Sequence, residues 1–472
     1  MPIPAGSGPV PGVPSGPIYY DPSLSRVRLN LTGLPLPVED QFARTQSNGW
    51  GTSTSGHTWQ VSGAATSQFS VNGVGGVHAV NANHPSVFRS LLDVSLRDVR
   101  LSVGAVLWPI APTGAHVRTE VLLRYVDDSN HVRVMVLLQP GGMVDLRIEK
   151  LVAGLIVEST AAATSVIHSA GVSLKLRVEA AGPAVRARVW KDGTAEPWRW
   201  QATVTDLNPA TGKVGLLSLA APGNTNTKPF SVVYDEVTVA PVAVVERSTD
   251  MLRWSTVRGG EAADLVGGTL RLDDYEFTPD VANHYRVAGY SGSVVPVLGG
   301  VWLKSVARPF LNRQVEVRDF SDVARPSRGG VFDVVGRSFP VAVTDVRGSR
   351  RWTLQVSTYS PQEADDLDLM LAGGDILLVH VPASGRLSSV PGGYVTVGDT
   401  REVTPPTSDL RMRVFDLPCT EVAAPGPDVV GAAVTCQTVL NTYGTCAQVV
   451  SAHPTVLDLL ELVGDPTDVL VP

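Results

Sequence analysis

The sequence is short of lysine, of cysteine and of charge. Only six of its 38 basic residues are lysine, an arginine bias that fits a GC-rich genome better than a binding role. No Lys/Arg block stands out and the formal net charge is -7, so a chain that tracks nucleic-acid phosphates is not expected. Charged residues make up 18% and hydrophobic ones 43%, which suits packed domains rather than disorder. Cys419, Cys436 and Cys446 are three in number, so at least one thiol stays unpaired within the chain. A Cys436–Cys446 bridge stays open, and folding in a reducing cytoplasm is the simpler expectation. No apolar run approaches ~18 residues, so no membrane-spanning helix is expected. The opening MPIPAGSGPVPGVPSGP has neither a basic start nor an apolar stretch, and does not read as a secretion signal.

Catalytic motifs are missing too. No Walker A loop, HExxH, CxxC or GxSxG sequence occurs. The run Asn72-Gly73-Val74-Gly75-Gly76 lacks a following Lys-Ser/Thr and reads as a turn between strands. The chain is therefore expected not to be an enzyme and to use no cofactor. His84 and His131 have no partners at metal-ligand spacing. Asp127-Asp128-Ser129-Asn130 makes Asp127 and Asp128 a weak Ca²⁺ candidate through oxygen ligands, although a tight hairpin turn explains the same residues. No other metal site is expected.

What is present is turn chemistry and alternation. Gly 45 and Pro 35 punctuate short runs rich in Val and Thr, the texture of many short strands. A chain of 472 residues exceeds one ordinary core, and about three domains are expected. Residues 1–17 are Pro/Gly/Ser-rich and read as a flexible N-terminal arm. Arg26-Val27-Arg28-Leu29-Asn30-Leu31 alternates as a half-buried strand. Clear strands follow over 117–125, 131–138, 144–149, 172–179, 185–191, 213–220 and 230–239, separated by turns such as Gln139-Pro140-Gly141-Gly142 and Lys191-Asp192-Gly193. That pattern, with no convincing helix, predicts a large antiparallel sandwich of jelly-roll type over 37–241. Residues 242–290 read as four or five strands of a small sandwich, and 296–422 as another β-rich block. Within it Pro361-Gln362-Glu363-Ala364-Asp365-Asp366 opens a helix running to Leu371. Residues 423–472 form a C-terminal extension with a short amphipathic helix over 455–462.

Several of these stretches resemble minor tail proteins of siphophages that infect actinobacteria. Asp40-Gln41-Phe42-Ala43-Arg44-Thr45, then Asn48-Gly49-Trp50-Gly51 and Gly56-His57-Thr58-Trp59, is similar to the opening of a concanavalin/laminin-G-like domain in that family. Its closing strand resembles Phe230-Ser231-Val232-Val233-Tyr234-Asp235-Glu236-Val237. The turn strand Arg188-Val189-Trp190-Lys191-Asp192-Gly193 with Glu196-Pro197 belongs to the same likeness. The family often has a second Asp where Tyr234 stands, which puts a metal-assisted variant in doubt. Glu246-Arg247-Ser248-Thr249-Asp250, with Trp254 and Asp273-Asp274-Tyr275-Glu276, resembles a fibronectin type III-like unit. The resemblance implies that residues 18–36 complete it with 242–295, the lectin-like domain being inserted between them. Val301-Trp302-Leu303-Lys304 and Arg308-Pro309-Phe310-Leu311-Asn312-Arg313 resemble distal tail proteins, which implies a β-barrel with a galectin-like lobe.

The implied role is structural, at the tail tip or baseplate of a virion, in a protein made in the host cytoplasm and released by lysis. Other copies around the tail axis and the tail tube, tape-measure and hub proteins are the implied partners, with host cell-wall glycan as a ligand for the lectin-like domain. For that contact Trp190, Trp198 and Trp200, with Asp192, are the candidates, since an indole face can cover a pyranose. Against this stands ordinary packing of the same rings. Phe42, Trp50 and Trp59 are expected to plug the sandwich, and Trp254 and Trp302 to be core residues of their own domains. The alternative is a secreted or lysis-released lectin or glycosidase on the same fold. A glycosidase needs two carboxylates facing each other roughly 5–10 Å apart, whereas adjacent Asp235 and Glu236 in one strand point to opposite faces.

Overall fold

Alternation of apolar and polar residues builds the strands of the molecule. A computed structural model of the chain describes residues 16–197, 199–287, 289–403 and 411–425. Most of the N-terminal arm, Trp198, Cys436, Cys446 and the helix expected over 455–462 lie outside the described residues. Contacts divide the chain into two units, one of residues 32–245 with 260–270, the other of residues 1–31, 246–259 and 271–472.

The unit of residues 32–245 is a jelly-roll sandwich of two antiparallel sheets. One runs in the order Leu155–Ile167, Met143–Val152, Asn130–Leu138, Val117–Asp127, Gly212–Ala220, Phe88–Leu96 and Trp59–Ser62. The other runs Ala202–Thr205, Ala184–Lys191, Ser173–Ala181, Val99–Leu107, Phe230–Ala243, Gly76–Val80, Phe69–Asn72 and Thr45–Ser47, with Val38–Asp40 and Ala263–Asp264 also paired to Phe230–Ala243. Each strand turns every second residue inward, because the pleat alternates. Val132, Val134, Val136 and Leu138 from one sheet meet Val103, Leu176, Val178 and Val189 from the other in a single apolar core. Each such side chain contributes about 1.5–3 kcal/mol on burial.

The Asp40-to-Trp59 motif is a core knot. Asp40 accepts the Phe42 N–H at 3.0 Å, a double hydrogen bond from the Arg44 guanidinium at 2.6 and 2.9 Å, and the Trp59 indole N–H at 2.8 Å. Arg44 donates onward to the Trp50 carbonyl. The Phe42, Trp50 and Trp59 rings pack edge-on or stacked with centroids 5.0–6.3 Å apart. They do plug the sandwich. Gly76 lies against them, and a Cβ there would meet Phe42 and Trp50 at 2.8 Å, so no side chain fits at this position.

In the second unit, Arg351–Thr358, Arg313–Phe320, Val301–Ser305, Leu377–His380, Gly393–Val397 and Arg413–Glu421 pair in that order, and the first also pairs with the last. They close a barrel around Leu303, Leu354, Val356, Val379 and Leu417. The one α-helix among the described residues, Pro361–Ala372, is where the sequence predicts it. Ser360 Oγ caps the Glu363 N–H and the Glu363 carboxylate reaches back to the Tyr359 N–H, a reciprocal start signal. Leu367 and Met370 face the barrel core. Ile18–Asp21, Arg26–Leu31 and Leu270–Asp274 form one small sheet, and Ser255–Thr256, Glu246–Ser248, Asn283–Val287 and Tyr290–Val294 another. Trp302 is buried. Trp254, expected in a core, is only half-buried, its ring covered by the Arg286 guanidinium at 4.3 Å.

Between Arg313–Phe320 and Arg351–Thr358 the chain leaves the barrel as a two-stranded arm, Gly330–Phe332 paired with Val341–Val343. Its base is fastened by the Ala324–Arg351 bridge and by Gly348 N–H donating to the Pro326 carbonyl. The arm is apolar yet exposed.

Candidate functional site

The expected sugar-contact residues lie at one end of the two-sheet unit. Trp190 is buried at the end of Ala184–Lys191, opposite Lys175. Asp192 occupies the exposed turn and pairs with Lys175 at 3.2 Å. Trp200 lies on the same face, its ring 4.8 and 4.5 Å from the Arg186 and Arg188 guanidinium carbons. Arg188 also pairs with Glu196, which bonds Arg177 at 3.1 Å. Glu196 and Trp200 are thus tied to the strand by ionic and cation–π contacts with its arginines. Trp198 falls outside the described residues.

Asp127 and Asp128 sit where two adjacent strands turn, Asp127 facing Asn130 across the hairpin. Asp127 accepts from the Ser129 N–H and the Asn130 amide. Asp128 accepts from the Tyr125 hydroxyl at 2.7 Å and pairs with Arg89; burial, with Asp128 beside it, pushes the Tyr125 hydroxyl up to about 12. Protein donors hold both carboxylates. No cluster of three metal-ligating side chains occurs among the described residues.

The sequence did not single out the outer face of the seven-stranded sheet. There Leu91, Leu122, Leu217 and Leu219 form a second apolar cluster with Tyr125 and Val87. Beside it lie two nearly buried carboxylates, Glu120 and Glu149. Glu120 accepts from Arg118 Nε at 2.6 Å, and Glu149 from Arg133 at 2.6 and 2.9 Å. Glu120 stands opposite Met135, Glu149 opposite Arg133. Two strand spacings and a two-residue offset separate their Cα atoms by about 12 Å. At the sheet border Ser159, Ala161 and Ala163 lie beside Glu149, Arg147 and Asp145, so small side chains leave that margin open. The missed signal was a carboxylate followed directly by the apolar run Val121-Leu122-Leu123 in one strand, Arg118-Thr119-Glu120-Val121-Leu122.

The third candidate surface is the arm. Val331, Phe332, Val335, Phe339, Val341, Val343 and Val346 are 38–103% exposed. A lone two-stranded ribbon without a core is marginal in water. Apolar side chains displayed this way mark a contact surface.

Comparison with known proteins bears on the two-sheet unit. No family model matches the chain, and no curated protein matches it. Among solved structures it is similar to a glycosyl hydrolase family 16 protein from Mycobacterium smegmatis at 11% identity, covering 43% of this chain and 98% of that one with a TM-score of 0.31. A Bacillus licheniformis β-glucanase is 8% identical over 43% of this chain and 98% of its own, with a TM-score of 0.33. An immunostimulatory antigen and pseudo β-1,3-glucanase of Mycobacterium tuberculosis is 12% identical over 43% and 98%, with a TM-score of 0.32. The class is an all-β chain with a concanavalin-like jelly-roll sandwich. The expectation that the chain is not an enzyme is corrected: the similar structures include glycosyl hydrolase family 16 proteins and β-glucanases, so the fold gives no ground for excluding activity. Absence of a familiar motif had been taken for absence of activity, but a glycosidase needs only two well-placed carboxylates, and these leave no fixed sequence spacing when they stand on different strands.

Proposed function

We propose that this chain is a structural component of a phage tail tip, assembling through its second unit and presenting the jelly-roll sandwich toward host cell-surface glycan. The observation that carries the reading is the arm over 321–350. Val331, Phe332, Val335, Phe339, Val343 and Val346 are each more than half exposed there, an apolar surface of the kind that a partner covers. Among the described residues, nothing in the barrel covers them. A chain built to join an assembly has such a surface. Many copies at one tail tip would multiply weak glycan contacts through effective concentration. The test is the mass of the full chain in solution by light scattering. Oligomers that become smaller in the Val335→Asp/Phe339→Asp variant support the reading; an unchanged mass in that variant, or wild-type monomers at high concentration, overturns it.

A second reading, glycoside hydrolysis, is favoured by Glu120 and Glu149 standing on one outer face beside an apolar floor. Release of reducing ends from β-glucans, abolished by Glu120→Gln, would establish it. Equal release by the wild type and that variant would reject Glu120 as the acting group.

A further inference from the structure

The strand Leu155–Ile167 borders the seven-stranded sheet and, among the described residues, pairs only with Met143–Val152. A sheet border offers free backbone groups to any further strand, so proteins blunt borders with charge, proline or bulges. These 13 residues contain one charge, Glu158, and no proline, lysine or arginine. Bulges do occur at the ends, one at Val157 and one between Ala163 and Ile167, where Thr164 Oγ1 accepts the Val166 N–H. The run Glu158–Ala163 between them is regular. Thr160, Ala162, Thr164 and Val166 are half-buried, and Ser159, Ala161, Ala163 and Ser165 are exposed.

The border reads nearly the same in both directions. About Ala162, Ala161 mirrors Ala163, Thr160 mirrors Thr164, Ser159 mirrors Ser165, and Val157 is matched by Ile167. Over 157–167 the pair Glu158 and Val166 alone breaks the symmetry, and Leu155 and Ile156 lie outside it. A twofold contact sets residue i of one copy against residue j of the other and j against i. In an antiparallel pair, opposed residues share a face, and every mirrored pair here also shares a burial class.

We propose that this border is a self-association surface, on which two copies of the chain join Leu155–Ile167 antiparallel about Ala162 into one continuous sheet. The mirror sequence points to a second copy of this chain as the occupant. Small side chains at the centre let the backbones approach, the exposed Val157 and Ile167 cover each other, and Glu158 meets the partner's Val166 instead of its own twin. The outer faces carrying Glu120 and Glu149 then run on across the axis. The end bulges shorten the ladder, which puts the contact at the small end of interface sizes. This goes beyond assembly through the arm and does not depend on it.

Mild oxidation of the full chain carrying Ala162→Cys is the test. Ala162 faces itself across the axis, where Cα atoms of opposed residues lie about 4.5–5.5 Å apart, inside the range a disulfide spans. A covalent dimer is expected, while Ala161→Cys, offset by two residues from its twin, gives none above the background of the native thiols. Adding Ala161→Lys/Ala163→Lys puts lysine against lysine and abolishes the dimer; Ala161→Lys/Ala163→Glu puts lysine against glutamate and restores it. Both alanines are exposed, so circular dichroism should stay that of the wild type. Repeating the oxidation in the Val335→Asp/Phe339→Asp background keeps this contact separate from arm-mediated assembly. If the Ala162→Cys chain forms no covalent dimer, or forms one indifferent to the charge pairs, the proposal is overturned.

Discussion

Arg124 Nη1 donates to Asp206 Oδ2 at 2.8 Å, and both side chains are 1% exposed. Arg124 sits at a bulge with φ +50° and also donates to the Arg97 and Gly182 carbonyls at 2.8 and 2.7 Å. Asp206 in turn takes Lys150. One guanidinium thus ties a strand of the seven-stranded sheet to three loops at the end of the sandwich. Arg124→Ala leaves Asp206 with Lys150 as its cation and takes a buried donor from the Arg97 and Gly182 carbonyls, so it should cost about 2–4 kcal/mol. Denaturant unfolding followed by tryptophan fluorescence measures it, and a loss under about 1 kcal/mol would show the pair to be dispensable.

Asp40 is the other organising carboxylate. Asp40→Ala strands the Trp59 indole N–H and the Phe42 N–H in a buried setting and leaves the Arg44 guanidinium the Trp50 carbonyl. The expected loss is about 2–4 kcal/mol, with a shift in tryptophan emission because Trp50 and Trp59 loosen together.

His78 gives the sandwich an acid limit. Its ring is fully buried between Ser218 and Ser90 hydroxyls at 2.9 Å each, and burial lowers its pKa to about 3. The unfolded chain therefore binds a proton below about 6.5 that the folded one refuses until near pH 3. Stability falls as pH drops through that window, by up to about 1.4 kcal/mol per pH unit. Equilibrium unfolding at pH 7, 5.5 and 4 should show the slope, and His78→Gln should flatten it.

Lys304 behaves in the same sense at higher pH. It is buried, donates to the Ser25 and Tyr275 carbonyls at 2.6 and 2.8 Å, and lies 4.6 Å from the Phe277 ring centroid. Burial lowers its pKa to about 7, against the opposing pull of Asp274 and Glu276. Between pH 7 and about 10 the unfolded chain holds the proton that the folded chain has lost, so this group's contribution grows more favourable as pH rises. Comparing wild type with Lys304→Met across that range isolates it, and parallel curves would contradict it.

The alternating strands were legible because inward Val and Leu contrast with outward Arg, Lys and Glu, as along Ser173–Ala181. The strand Leu155–Ile167 was not, since Ala, Ser and Thr on both faces leave no contrast to read. The Asp40, Phe42, Arg44, Trp50 and Trp59 spacing was read as a family likeness, and its physical content is a shared carboxylate under packed rings. Nothing in the run Val331-Phe332-Asp333-Val334-Val335 marks it as other than an ordinary strand of the β-rich block. Hydrophobicity alone does not tell a core strand from an arm that awaits a partner. Glu120 and Glu149 stayed hidden because they come together only through pairing of separate strands.

The central claim is most directly tested on virions. If the proposed tail-tip role holds, gold-labelled antibody raised against this chain decorates the tail tips of particles purified from lysates that contain it, in electron micrographs. Particles that carry no label, with the chain found only free in the lysate, would contradict it.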